Sequence, residues 1–374
     1  MLQENLQLGF SHSITKMAPD RGPVEENAQA SSLQAQYEGL SIKEEADNRD
    51  VSLSDAASTM QSEPVPPHLS HDPNTNAKRT DPFQFGQRYL SESDDVFEYN
   101  AWDHVTPDPD HYEYCESQYA AQRAAPVSEF DQARFNEHPE KWWDLFYKQK
   151  TSTFFKDRKW LVQEFPALKE VTEKDAGEKV ILEVGAGAGN TAFPIVRMNE
   201  NPKLKLHAVD FSKKAVETMR RAEEYEASNG IMQADVWDAA GEHLPPGVEE
   251  GTVDIVIMIF IFSALHPRQW QQAVANVRRM LKPGGQVLFR DYGRGDLAQV
   301  RFKARRWMQD NFYVRGDGTR VYFFEKEELE AIWGDGFDVL NLDVDRRLIV
   351  NRQRRIKMYR CWIQGRFRKK VAEA

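Results

Sequence analysis

From Lys179 onward, short β-rich apolar runs alternate with amphipathic stretches, a rhythm that predicts strands separated by helices. "KVILEV" (179–184) reads as a buried strand and "NTAFPIVRM" (190–198) as the helix after it. "LKLHAVD" (204–210) is the second strand, "SKKAVETMRRAEE" (212–224) its helix with Ser212 as N-cap, and "IMQADV" (231–236) the third strand. "VDIVIMIFIFSAL" (253–265) is apolar on both faces, as a central parallel strand should be. The amphipathic "RQWQQAVANVRRML" (268–281) follows and stops before "KPGG", and "QVLFRDYG" (286–293) is the fifth strand. A β-α-β-α-β then β-α-β series predicts a doubly wound α/β fold with right-handed crossovers, whose ligand sits at the carboxyl ends of the strands.

The rest of the chain is patterned differently. Residues 1–80 are rich in Ser, Glu, Gln, Asn, Ala and Pro with Phe10 and Tyr37 as their aromatics, too little apolar surface to offset ordering entropy, so a disordered tail is expected. From Phe83 aromatics become dense at helical spacings, as in "KWWDLFYKQKTSTFFKDRKWLVQEFP" (141–166), and residues 81–178 are read as a helical, aromatic-rich segment ahead of the 179–370 domain. Charge sharpens this division. Residues 1–80 hold 12 acids and 6 bases and residues 81–120 hold 10 acids and one base, whereas Arg346–Lys370 holds eleven bases and no acid. Such a run is either a solvated face or a polyanion-binding surface. No stretch of 18 consecutive apolar residues suggests a membrane span. Two cysteines, Cys115 and Cys361, make neither a disulfide framework nor a four-ligand zinc site, so no metal is expected and a reducing, cytoplasmic setting is.

The chemistry concentrates in "VILEVGAGAGNTAFP" (180–194). Gly185, Gly187 and Gly189 follow the first strand in a GxGxG spacing, serving a tight turn, close approach of backbone to ligand, and close packing of the next helix. Taken alone the loop leaves NAD and ATP open. Glu183 stands ahead of the glycines, where an acid repels a pyrophosphate and welcomes a cation. Asp210 ends the second strand, 21 residues after Gly189, placed to accept the ribose hydroxyls, and Asp235 ends the third, placed to reach an adenine amino group. An adenosine with positive charge and no phosphates is S-adenosylmethionine, and the expected fold is a class I, Rossmann-like methyltransferase with a seven-stranded, mostly parallel sheet. The position after the fourth strand reads "FSALHP" (262–267) and lacks the Asn/Asp-Pro-Pro-aromatic motif of exocyclic-amine methyltransferases. No cysteine lies near enough to act as a nucleophile, so the acceptor should already carry a lone pair, as a cytosine ring nitrogen does.

"NAWDHV" (100–105), "WDLFYK" (143–148), "FFKDRKWL" (154–161), "IFIFSALHP", "LKPGGQVLFRDYGRGDLAQVRF" (281–302) and "NFYVRGDGTRVYFF" (311–324) resemble the eukaryotic tRNA N3-methylcytidine methyltransferases. The resemblance spans about Phe83 to Lys370 and points to the fungal-type threonine or serine tRNA branch. It implies methylation of N3 of an anticodon-loop cytidine, position 32, in tRNA. It implies cofactor contacts at Trp143, Tyr147, Gly185, Asp210, Asp235, Val236 and Ile259. Where many relatives carry cysteine, this chain has Ala186.

Our reading of the residues adds further expectations. Asp291 is the candidate carboxylate to stabilise the cationic product ring, with Arg290 and Tyr292 orienting it or the base; a loop-holding ion pair is the competing reading. Extraction of a stacked cytidine needs a gripping surface. Lys156, Arg158 and Lys159, then Arg301, Lys303, Arg305 and Arg306 on a helix after the fifth strand, and Arg315 and Arg320 in an insertion at about 294–325 are its candidates, interleaved with aromatics. A monomer is expected, and whether an aminoacyl-tRNA synthetase is a further partner stays open. The rival readings are a methyltransferase of this fold acting on a protein or small molecule, and a non-catalytic RNA-binding subunit.

Overall fold

The computed structural model describes residues 88–150, 155–158 and 160–371; the expected tail at 1–80 and Lys159 lie outside the described residues. A short strand β1 (Ala101–Asp103) precedes three helices, α1 (Pro109–Ala124), α2 (Glu129–Glu137) and α3 (Pro139–Lys150), and two short ones, α4 (Leu161–Glu164) and α5 (Ala167–Thr172). Then come β2 (Lys179–Val184), α6 (Ala192–Met198), β3 (Leu204–Asp210), α7 (Lys213–Arg220), α8 (Glu223–Ala227), β4 (Met232–Val236) and β5 (Val253–Ile259). They are followed by α9 (Trp270–Met280), β6 (Leu281–Tyr292) and α10 (Leu297–Val300). A small sheet of β7 (Trp307–Gln309), β8 (Phe312–Val314) and β9 (Arg320–Tyr322) occupies the insertion, and α11 (Lys326–Gly334) leads to the long hairpin β10 (Phe337–Asn351) and β11 (Ile356–Lys369).

The main sheet runs β1-β10-β11-β6-β5-β2-β3-β4. β2 to β6 are mutually parallel, and β11, β10 and β1 extend the β6 edge in antiparallel fashion. The sheet has eight strands where seven are expected, because residues of the aromatic N-terminal segment pair with β10, Trp102 opposite Leu348. Chain order reverses between β2 and β5, so the loops leaving their carboxyl ends diverge and open a crevice.

Both faces of the parallel core are covered, which is why its strands read as continuous apolar runs. Leu182, Val209, Val256, Met258 and Phe289 face the layer holding Trp270, Leu329 and Trp333. Their neighbours Ile181, Ala208, Ile255, Ile257 and Leu288 face the layer holding Leu168, Phe193 and Met219.

Three local expectations change. The apolar run from Val253 does not stay extended to Leu265: β5 stops at Ile259, Phe260 takes φ +57°, and Phe262–Ala264 forms a 3-10 turn. The helix over 212–224 breaks after Arg220 and restarts at Glu223; Ser212 does cap it, its Oγ accepting the Ala215 N–H at 3.1 Å. The helix after β6 is only Leu297–Val300, so Arg301, Lys303, Arg305 and Arg306 lie in the turn beyond it, and Arg305 itself adopts φ +62°.

Candidate functional site

The crevice between the β2 and β5 loops deepens into a cavity with about 900 Å³ of empty space including its open mouth. Its floor is the glycine loop. Gly185, Gly187 and Gly189 have φ of +69°, +59° and +90°, the left-handed region that a side chain resists. At Gly187 a Cβ would land on the Tyr147 hydroxyl, and at Gly189 on the Phe193 ring, so the spacing serves close packing above and below the loop.

Asp210 braces that loop. Its Oδ2 accepts the Gly187 N–H at 2.8 Å and its Oδ1 the Ser212 N–H at 2.8 Å, which leaves lone pairs on both oxygens for a ligand. Burial raises its pKa to about 6 against the pull of those two N–H groups. Trp143 and Tyr147, one turn apart on α3, close the cavity from above with their rings 6.3 Å apart. Asp144 between them anchors the helix, accepting from Ser212 Oγ at 2.6 Å and from the Lys214 N–H at 3.1 Å. Ile259, Ile261, Leu265 and Trp237 supply apolar walls.

Several expected site residues are elsewhere. Asp235 does not reach the cavity: its carboxylate accepts from Arg220 Nη2 at 2.7 Å and from Gln233 Nε2 at 2.7 Å. Strand alternation turns it away, and the acid that the segment beyond β4 puts into the wall is Asp238. Val236 is exposed and outside the wall. Glu183 lies beneath the floor, 1% exposed, with Arg158 Nη1 3.7 Å from its carboxylate. Burial pushes its pKa to about 7, with Arg158 the main opposing influence.

The candidate catalytic residues Arg290, Asp291 and Tyr292 are also outside the cavity wall. Asp291 is fully buried, Oδ2 accepting the Ser263 N–H and Oδ1 its neighbour Tyr292 N–H, each at 2.9 Å, with the Ser263 side chain also hydrogen-bonded to the carboxylate. It therefore holds the 3-10 turn against the end of β6, and burial raises its pKa to about 6. Arg290 donates to Asp345 Oδ2 and Gln364 Oε1, each at 3.0 Å, between the rings of Trp160 and Trp362. Tyr292 packs on Phe260, ring centroids 4.9 Å apart, under the Arg315 guanidinium.

Two arginines expected on an RNA surface instead enter the wall. Arg158, on the segment after α3, faces Glu183 and Thr191; Arg320, on β9, donates to Asn136 Oδ1 at 2.9 Å and to the Ala264 carbonyl. Motif membership signalled both, but only the fold shows which way they point. Lys156, Lys303 and Arg305 are exposed, Arg301 half-buried. Arg306 and Arg315 spend donors on nearby carbonyls, Arg306 on Arg315 and Arg315 on Arg320. The Arg346–Lys370 run is the β10–β11 hairpin, partly neutralised by Arg347–Asp103, Lys357–Asp108 and Arg360–Asp296 pairs at 2.9 to 3.0 Å. β11 first meets β6 at Trp362 opposite Tyr292. The part beyond, with exposed Arg352, Arg354 and Arg355 at its turn, therefore projects roughly 20 Å past the carboxyl edge at about 3.4 Å per residue.

These residues fit S-adenosylmethionine. Asp210 offers acceptors to a ribose, the walls suit an adenine, and both wall guanidiniums are already engaged, so no phosphate cradle is formed. A family model described as "Methyltransferase domain" matches residues 182–287. The chain is 50% identical over 285 residues to the tRNA N(3)-methylcytidine methyltransferase trm140 of Schizosaccharomyces pombe, an alignment covering 76% of this chain and 92% of that one. The chain belongs to the tRNA N(3)-methylcytidine methyltransferase family. It is likewise 50% identical over 289 residues to the tRNA(Thr) (cytosine(32)-N(3))-methyltransferase of Saccharomyces cerevisiae, covering 76% of this chain and 46% of that longer protein. Identity to the Drosophila melanogaster methyltransferase Mettl2 of the family is 43% over 295 residues. Among the described residues, no helix is long and apolar enough to cross a membrane.

Proposed function

We propose that this protein transfers a methyl group from S-adenosylmethionine to N3 of a cytidine in the tRNA anticodon loop, at position 32 of threonine and/or serine tRNAs. The observation that carries the reading is a cavity built for adenosine without phosphates, in a chain half identical to enzymes named for tRNA cytosine N3 methylation.

When bound, the cofactor would supply an electrophilic methyl on a sulfonium: the cytosine N3 lone pair would form the new N–CH3 bond as the S–CH3 bond breaks in line, the electron pair leaving on the sulfur of S-adenosylhomocysteine and the methylated ring left cationic. Since that lone pair is free near neutral pH, no side chain has to remove a proton, and the burden falls on positioning and water exclusion. Asp210 and the glycine loop hold the adenosine end; Trp143 and Tyr147 close the cavity above it. Asp291 acts through backbone, keeping the Phe262–Ala264 turn against the end of β6. The exposed bases Lys156, Lys303 and Arg305, and the arginine-tipped hairpin at the same edge of the sheet, support an RNA backbone-binding role.

The reading carries with it a monomeric, cytoplasmic enzyme and an aminoacyl-tRNA synthetase partner; two buried, unpaired cysteines are compatible with a reducing compartment. The test is incubation of the purified protein with labelled S-adenosylmethionine and tRNA, followed by nucleoside mass spectrometry. N3-methylcytidine in threonine or serine tRNA supports the proposal; label appearing only in protein or small molecules overturns it.

A further inference from the structure

Phe260 is the first residue past the carboxyl end of the central strand β5, at the point where chain order reverses. Its φ of +57° belongs to the region where bulky side chains are outliers and glycine or asparagine is the ordinary solution. Among the described non-glycine residues with positive φ, it is the one in the cavity wall. Its N–H donates to the Arg290 carbonyl at 2.8 Å, so the backbone is pinned in that conformation by the edge of β6. The residue is half-buried, its ring 4.9 Å from that of Tyr292 and packed against the apolar layer that holds Leu168 and Phe193, and it lines the cavity.

Strain held by surrounding structure at a ligand site calls for a use that the fold alone does not supply. A glycine would hold the same backbone without the steric cost, so what the chain retains by keeping phenylalanine here is the ring. Asp210, bracing the glycine loop, ends β3 on one side of the switch point, and Phe260 follows β5 on the other, its ring against Tyr292. An aromatic face there matches a planar acceptor, and it also favours one that becomes cationic on methylation. We infer that Phe260 is the platform on which the target cytosine stacks, the strained backbone presenting its ring to the base. The inference rests on the proposed methyl transfer to cytosine at this site.

The experiment compares wild type with Phe260→Leu, Phe260→Tyr and Phe260→Gly, measuring kcat and KM with tRNA, S-adenosylhomocysteine binding by calorimetry, and Tm. Loss of one base–aromatic stack is expected to lower kcat/KM about 10- to 100-fold in the Leu and Gly variants. Tyr is expected to restore it to within about threefold, with S-adenosylhomocysteine affinity within about threefold throughout. Glycine is expected to leave Tm nearly unchanged, because relief of strain offsets lost contact. Wild-type kcat/KM in Phe260→Leu overturns the inference, as does a parallel fall of Tm, S-adenosylhomocysteine binding and transfer that Tyr does not reverse. Wild type that binds S-adenosylhomocysteine yet never methylates tRNA overturns the functional reading beneath it instead.

Discussion

Gly187→Ala separates the two reasons for a glycine in this loop. At φ +59° an alanine pays the left-handed penalty of about 1–2 kcal/mol wherever it is placed. That strain is present with or without ligand, so by itself it lowers stability, by about 2–8 °C in Tm for a domain of this size, and leaves affinity alone. The second effect is specific: the new Cβ overlaps the Tyr147 hydroxyl, while the next ring atom sits at an ordinary 3.4 Å. Tyr147 must therefore withdraw from the cavity it closes. If that forfeits a further 1.4 kcal/mol or so of ligand contact, S-adenosylhomocysteine binding weakens about tenfold. Tyr147→Phe removes the obstructing oxygen and nothing else. Calorimetry on the double variant should show affinity within about threefold of Tyr147→Phe alone, while its Tm stays low, a coupling expected of residues in contact. Unchanged affinity in Gly187→Ala, or a double variant binding as weakly as the single, refutes the account.

The other predictions concern the acids and the buried ion pair. Asp235→Asn should bind S-adenosylhomocysteine within about twofold of wild type, whereas Asp210→Asn, which alters the brace of the glycine loop, should bind at least about tenfold more weakly, both read by calorimetry. Asp345→Ala removes the carboxylate paired with the Arg290 guanidinium, 4% exposed, leaving it on Gln364 and two indole rings, and should cost about 3–5 kcal/mol in denaturant unfolding. Glu164 is held protonated by burial, its pKa raised from 4.5 to about 8, so folding is favoured below the lower value and loses that advantage as pH rises toward the higher. The Tm of Glu164→Gln minus that of wild type should accordingly grow from about pH 5 to pH 8; a constant difference contradicts the assignment.

Strands β2 and β3 coincide with the predicted runs, because strands covered on both faces are apolar at nearly consecutive positions, as Val180–Leu182 and Ala208–Val209 are. β1 escaped notice. Three residues of an aromatic segment carry no periodicity, and only the exposed edge of β10 makes Ala101–Asp103 a strand. The end of β5 was illegible for the opposite reason: "IFIFSAL" is as apolar as the strand before it, and what breaks the strand is backbone geometry at Phe260 that composition does not encode.

Local pattern by itself determined the parallel sheet, the glycine loop at its switch point and the cofactor class, since each depends on residues close in sequence. Tertiary structure alone decided direction. It turned Asp235 toward Arg220, buried Asp291 on backbone N–H groups, and set Arg290 between Trp160 and Trp362. It also brought Arg158 and Arg320 into the cavity wall from segments 162 residues apart. The physical reason is that a side chain's role is set by the partner it meets, and for these residues the partners come from distant segments that only folding brings within reach.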